Sequence, residues 1–134
     1  MEGEIEDQKS HALQLLRVYQ SQIETMSNQS ALVSLSLNDT MHAIETISSY
    51  KDIKEEEEIL IPIGTEMFIR GYAKKSHKAL LRVGGDVFVD KDFDDVLKEL
   101  EEKKTKLEEL KKRVDSDLSA IENEAARLIE LIQG

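Results

Sequence analysis

At 134 residues the chain has the length of a single domain, and with 4% aromatics and no Trp it lacks the side chains that usually supply a compact core. A formal net charge of −10 argues against a nucleic-acid partner, which needs clustered Lys and Arg, and the absence of Cys excludes disulfides and thiolate metal sites. There is no basic-then-apolar leader and no apolar run approaching about 18 residues, so a cytoplasmic protein without a membrane span is expected.

The chain opens on a long arm free of breakers. At seven-residue spacing lie Ile5, Ala12, Tyr19, Met26, Val33, Thr40 and Ile47; four residues after each of the first six lie Lys9, Leu16, Ile23, Ser30, Leu37 and Ile44. Two such rows form one stripe on a helix, so the spacing predicts a coiled-coil helix over about 4–54.

The breakers are concentrated in the middle: Pro62 is the only Pro, and apart from Gly3 and Gly134 every Gly falls between Gly64 and Gly85. Between about 58 and 90 short apolar runs alternate with turn signals. Glu58–Ile61 leads into Pro62-Ile63-Gly64-Thr65, and Met67–Tyr72 follows. After the polar Lys74–His77, Ala79–Val83 and Val87–Val89 flank Gly84-Gly85. This reads as two β-hairpins, the second turning at the Gly pair because both residues accept positive φ. Hairpins this small are marginal alone, so their open edges and apolar rows imply an oligomer assembled through Ile59, Ile61, Phe68, Ile69, Leu81, Val83, Phe88 and Val89.

The remaining arm, about 92–133, repeats the heptad logic. Phe93, Leu100, Leu107, Val114, Ile121 and Leu128 form one row, and Leu97, Lys104, Lys111, Leu118, Ala125 and Ile132 the other. Blocks such as Glu101-Glu102-Lys103 read as a solvated face. At about 1.5 Å per residue each arm is roughly 60 Å long, and the economical arrangement is an antiparallel zip. If Ile47 lies near Phe93, Ser30 falls opposite Lys111, and two polar interruptions share one layer that fixes register. The expected fold is mainly α with a small β region: a long antiparallel two-helix coiled coil joined by two β-hairpins.

No catalytic or metal-binding constellation is present. His11, His42 and His77 are scattered, no Gly-Lys-Ser/Thr follows Gly84-Gly85, and Glu55–Glu58 reads as a solvated helix end before it reads as a cation site. No enzyme activity and no cofactor are expected. The excess that remains is apolar and lies near the chain ends: Leu13, Leu15 and Val18 beside Leu16, and Ile129 and Leu131 beside Leu128 and Ile132. A two-helix zip buries one stripe per helix, so this surface is exposed for binding, spent on a wider stripe within the coiled coil, or packed on a neighbour.

Ile59-Leu60-Ile61-Pro62-Ile63-Gly64, Met67-Phe68-Ile69-Arg70-Gly71 and Leu81–Lys91 with their flanking helices resemble the alpha class of prefoldin subunits, over nearly the whole chain. One departure is Asp86, where the family often has the second Gly of a Gly-x-Gly before an aromatic. The resemblance implies an ATP-independent chaperone subunit that captures unfolded proteins at its coiled-coil tips and passes them to a group II chaperonin. It implies a hexamer of two alpha-class and four beta-class subunits built on the hairpins. It implies client binding at the distal tips, where the reading of the residues places Leu13, Leu15, Leu16, Leu128, Ile129, Leu131 and Ile132. The rival reading is a structural coiled-coil tether, which has the same stripes but no need of apolar tips.

Overall fold

The computed structural model describes residues 2–134. Helix α1 (Glu2–Tyr50) is followed by strands β1 (Glu58–Gly64), β2 (Met67–Tyr72), β3 (Lys78–Gly84) and β4 (Val87–Asp92), then helix α2 (Phe93–Gln133). This is the two-helix, two-hairpin fold that the periodicity and the breakers predict. Contacts divide the chain into two units: residues up to Asn38 with Thr105–Gly134, and Asp39–Lys104.

In the first unit the heptad rows form the seam. Ala12, Leu16, Tyr19, Ile23, Met26, Ser30, Val33 and Leu37 of α1 are half-buried, as are Leu107, Lys111, Val114, Leu118, Ile121, Leu128 and Ile132 of α2; Ala125 is buried. The helices are antiparallel, since Ser30 meets Asp115 while Ile5 and Ala12 share a groove with Leu131 and Ile132. Ser30 Oγ donates to Asp115 Oδ1 at 2.6 Å, and Lys111 Nζ donates to Asp115 Oδ2 at 3.0 Å and to Ser30 Oγ at 3.4 Å. The polar layer expected of Ser30 and Lys111 therefore has Asp115 as a third member. The stripe runs out early, with Ile5 and Lys9 exposed.

In the second unit Phe93, Val96, Ala73 and Thr40 are buried. The Tyr50 and Phe93 rings meet edge to face with centroids 5.9 Å apart, and the Tyr50 hydroxyl donates to the Lys74 carbonyl at 2.5 Å. Lys51 and Asp94 form an ion pair beside them. α1 ends at Tyr50, short of the expected 54, because its exit tightens: Asp52 N bonds Ser49 O at 3.2 Å and Ile53 N bonds Tyr50 O at 3.1 Å, both three residues back. Glu56 then takes φ 63° and Glu57 Oε2 accepts from Lys54 N at 3.1 Å. No Gly or Pro marks this exit, so the sequence does not reveal it.

The hairpins are two copies of one motif. Each residue of β1–β2 has an equivalent twenty positions on in β3–β4, and the pairing matches: Glu58 with Tyr72 and Lys78 with Asp92, Ile61 with Ile69 and Leu81 with Val89. Both ladders bulge at the same place, leaving Ile63 and Val83 unmatched before Gly64 and Gly84. The turns are Thr65-Glu66 and Gly85-Asp86, so the second lies one residue beyond the expected Gly84-Gly85. Of that pair only Gly85 has positive φ (53°); Gly84 ends the strand, because the bulge consumes one residue ahead of the turn. Strand β4 continues to Asp92, past the expected boundary at 90, because Lys91 and Asp92 still pair with Ala79 and Lys78.

Candidate functional site

Two apolar surfaces are candidates, one in each unit, and both consist of side chains that the chain leaves uncovered. On the hairpins, alternation gives each ladder two faces. Ile59, Ile61, Ile69 and Gly71 share one face of the first. Gly71 is closely approached there: a Cβ would stand 3.0 Å from Ile61 Cδ1, and that side-chain end would have to give by a few tenths of an ångström. Leu60, Pro62, Phe68, Arg70 and Tyr72 share the other, edged by an Arg70–Glu58 ion pair at 3.4 Å. In the second hairpin Ala79 and Leu81 face a cleft of about 390 Å³ with Ala43, Ile47, Val96 and Leu100, while Leu80 and Phe88 point away. Of the residues expected to serve assembly, Ile59 and Leu81 are half-buried. Ile61, Phe68 (58% exposed), Ile69, Val83, Phe88 and Val89 are exposed. Leu60, Ile63, Tyr72 (75% exposed) and Leu80, which were not among the expected assembly residues, are equally uncovered. For Leu60 and Leu80 the signal is the twenty-residue repeat, which puts leucine at equivalent positions of the two ladders.

In the first unit the start of α1 and the end of α2 lie together around an open groove of about 310 Å³ lined by Ile5, Gln8, Lys9, Ala12, Leu131, Ile132 and Gly134. The residues expected to bind clients divide. Leu13 (44% exposed), Ile129 and Leu131 (68% exposed) are uncovered, and Val18 and Ile5 join them. Leu15, Leu16, Leu128 and Ile132 are half-buried, the last three because they are also seam positions. A further exposed pair, Leu32 and Leu35, lies on α1 outside the seam.

Electrostatic features are structural in character. Asp115 is held below the usual carboxylate range, first by the Ser30 hydrogen bond and then by that from Lys111. Asp94 is lowered by its hydrogen bond and charge contact with Lys51. Among the described residues no group of His and carboxylates is placed to hold a metal ion, and no helix is long and apolar enough to cross a membrane.

Comparison with known proteins places this geometry. The family model described as prefoldin subunit matches residues 19–134. Prefoldin subunit alpha 1 of Methanocaldococcus jannaschii is 31% identical over 130 residues, covering 97% of this chain and 80% of that protein. Prefoldin subunit alpha of Methanococcus maripaludis strain C7 is 30% identical over 103 residues, covering 77% of this chain and 69% of that protein. Among solved structures, the filamentous PFD from Methanocaldococcus jannaschii superposes with a TM-score of 0.68 at 20% identity, covering 90% of this chain and 98% of that one. The prefoldin beta subunit from Thermococcus strain KS-1 gives 0.64 at 20% identity, covering 94% and 90%. With the seam, the paired hairpins and these relatives in agreement, the chain belongs to the prefoldin family, as a subunit of the archaeal alpha class.

Proposed function

We propose that this subunit works as an ATP-independent holdase: the exposed apolar residues where α1 begins and α2 ends grip unfolded proteins, and the hairpins join it to beta-class partners in a hexamer of two alpha and four beta subunits. The observation that carries the reading is the exposure of Leu13, Val18, Ile129 and Leu131 beside a seam that is already filled. Unfolded chains present apolar side chains without fixed shape, and burying one of Leu size stabilises a contact by roughly 1.5–3 kcal/mol before losses. A few such contacts bind weakly and release quickly; several subunits on one platform gain about 10² to 10⁴ in avidity without any nucleotide. Onward transfer to a group II chaperonin in the cytoplasm, and the reading of the chain as a single prefoldin-like subunit, belong to the same proposal.

The test is light-scattering suppression of a denatured model protein by the assembled complex without nucleotide. The complex should suppress aggregation. The variant Leu13→Ser/Val18→Ser/Ile129→Ser/Leu131→Ser should assemble normally yet lose most of that activity, and full suppression by it would refute the assignment.

A further inference from the structure

We infer that the connector between α1 and β1 is a brace. It holds the strap of residues 73–77 that links the two hairpins, so both hairpins leave the helices at a set angle before any partner arrives. The inference rests on the reading of the hairpins as assembly surfaces and adds what aims them.

Residues 73–77 form the polar connection Ala73-Lys74-Lys75-Ser76-His77, and without ties such a connection would let the hairpins swing. Four of its five residues instead give a backbone group to something outside the hairpins. Ala73, which is buried, donates its N–H to Glu57 O at 2.8 Å and accepts from Glu56 N at 2.9 Å. Lys74 O accepts from the Tyr50 hydroxyl at 2.5 Å, and Lys75 N donates to Glu55 Oε2 at 2.9 Å. His77 O accepts from Phe93 N, at the start of α2, at 2.8 Å. The end of α1, the connector and α2 each hold the strap.

The connector takes on an unfavourable backbone conformation to do so. Glu57 N donates to Lys54 O at 3.1 Å, closing a turn whose third residue, Glu56, has φ 63°. A turn with positive φ at that position favours Gly. Glu56 and Glu57 then stand against the single residue Ala73, a bulge whose left-handed first position is also ordinarily Gly. A side chain persists in such backbone only where its surroundings hold it, and the two bonds to Ala73 do that. A bulge bends the strand that carries it. Here it sets the direction in which β1 departs, while the ties at Lys74, Lys75 and His77 hold the root of the second hairpin.

Amide exchange of the full chain, followed by NMR, reads the brace, and native mass spectrometry after mixing with beta-class partners reads its consequence. The amides of Glu56, Ala73 and Lys75 should exchange at least about tenfold more slowly than that of Ser76. Glu56→Pro can neither adopt that φ nor donate, so Ala73 and Lys75 should become as fast as Ser76 and a mixture of masses should replace one. Glu56→Gly, which suits the turn, should keep both the protection and the single mass. If Glu56→Pro loses its helical signal, Tyr50→Phe/Glu55→Ala decides in its place: it cuts two ties, leaves the bulge, and should free Lys75 and broaden the masses. Fast exchange at all three amides in the wild type, or a single wild-type mass from the deciding variant, would overturn the brace. A wild type that keeps its protected amides but joins no beta-class partner would sink the assembly reading and leave the brace standing.

Discussion

Ser30 of α1 donates its hydroxyl hydrogen to Asp115 of α2 at 2.6 Å, across a seam otherwise lined mostly by aliphatic side chains. The bond, completed by Lys111, gives the two helices one register in which all three polar groups are satisfied. A slip by one heptad that sets Ser30 against Leu118 and Lys111 against Leu37 would leave their polar atoms without these partners. Replacing the seam pair with apolar side chains, Ser30→Val with Lys111→Leu, should raise stability to chemical denaturation by about 1–2 kcal/mol while removing that register lock. Disulfide trapping with Cys pairs placed in and out of register should then capture both alignments in the variant and one in the wild type.

The same layer predicts a pH dependence. The folded state holds the Asp115 pKa below its ordinary 3.8, so its contribution is present above that value and is lost as pH falls through the lowered folded value. The difference in thermal midpoint between wild type and Asp115→Asn should therefore be constant near neutrality and shrink below pH 3.8. A difference that grows on acidification would contradict the assignment.

At the first turn, Thr65 and Glu66 both sit at positive φ, 46° and 62°, a conformation that costs L-residues roughly 1–2 kcal/mol each. The mirror-image hairpin turn prefers Asn-Gly. Thr65→Asn/Glu66→Gly should stabilise the hairpin by about 1 kcal/mol, read by thermal melting of the assembled complex. Gly85→Ala, at φ 53°, should cost about 1 kcal/mol.

The Tyr50–Phe93 contact anchors the second unit. Phe93 is buried, so Phe93→Ala should cost about 3–4 kcal/mol in denaturant unfolding. Tyr50→Phe keeps the ring and loses only the bond to Lys74 O, about 0.5–1.5 kcal/mol.

Phe68 and Phe88 are already exposed in the isolated chain, so Phe68→Asp or Phe88→Asp should leave its helical signal intact. Each should weaken oligomer formation by about 2–3 kcal/mol or more, seen as lower mass in size-exclusion chromatography with light scattering. An unchanged mass would count against assembly through the hairpins.

The helices were legible because heptad spacing repeats over many turns and because, apart from Gly3 and Gly134, every Gly and Pro lies between them. The pairing of Ser30 with Lys111 was legible because two polar residues interrupted matching stripes. Asp115 was not: it adjoins the seam position Val114 and reads in sequence as one more solvated charge. The second turn was misplaced by one residue because Gly84-Gly85 carries the usual composition of a turn, while the bulge at Val83 is a backbone event without a residue type of its own. Among the tip residues, alternation of rows says which side chains face the seam but not how far along the helices the seam continues. The exposure of Ile5 is set by that limit.

The most direct measurement is site-specific photo-crosslinking of a denatured client to the assembled complex, with the photoreactive residue at 13, 131, 32 or 102. Strong client adducts are expected from positions 13 and 131, and little from the exposed Leu32 or from Glu102. Client adducts that form equally at position 32 or 102, or that are absent from 13 and 131, would contradict client binding at the helix ends.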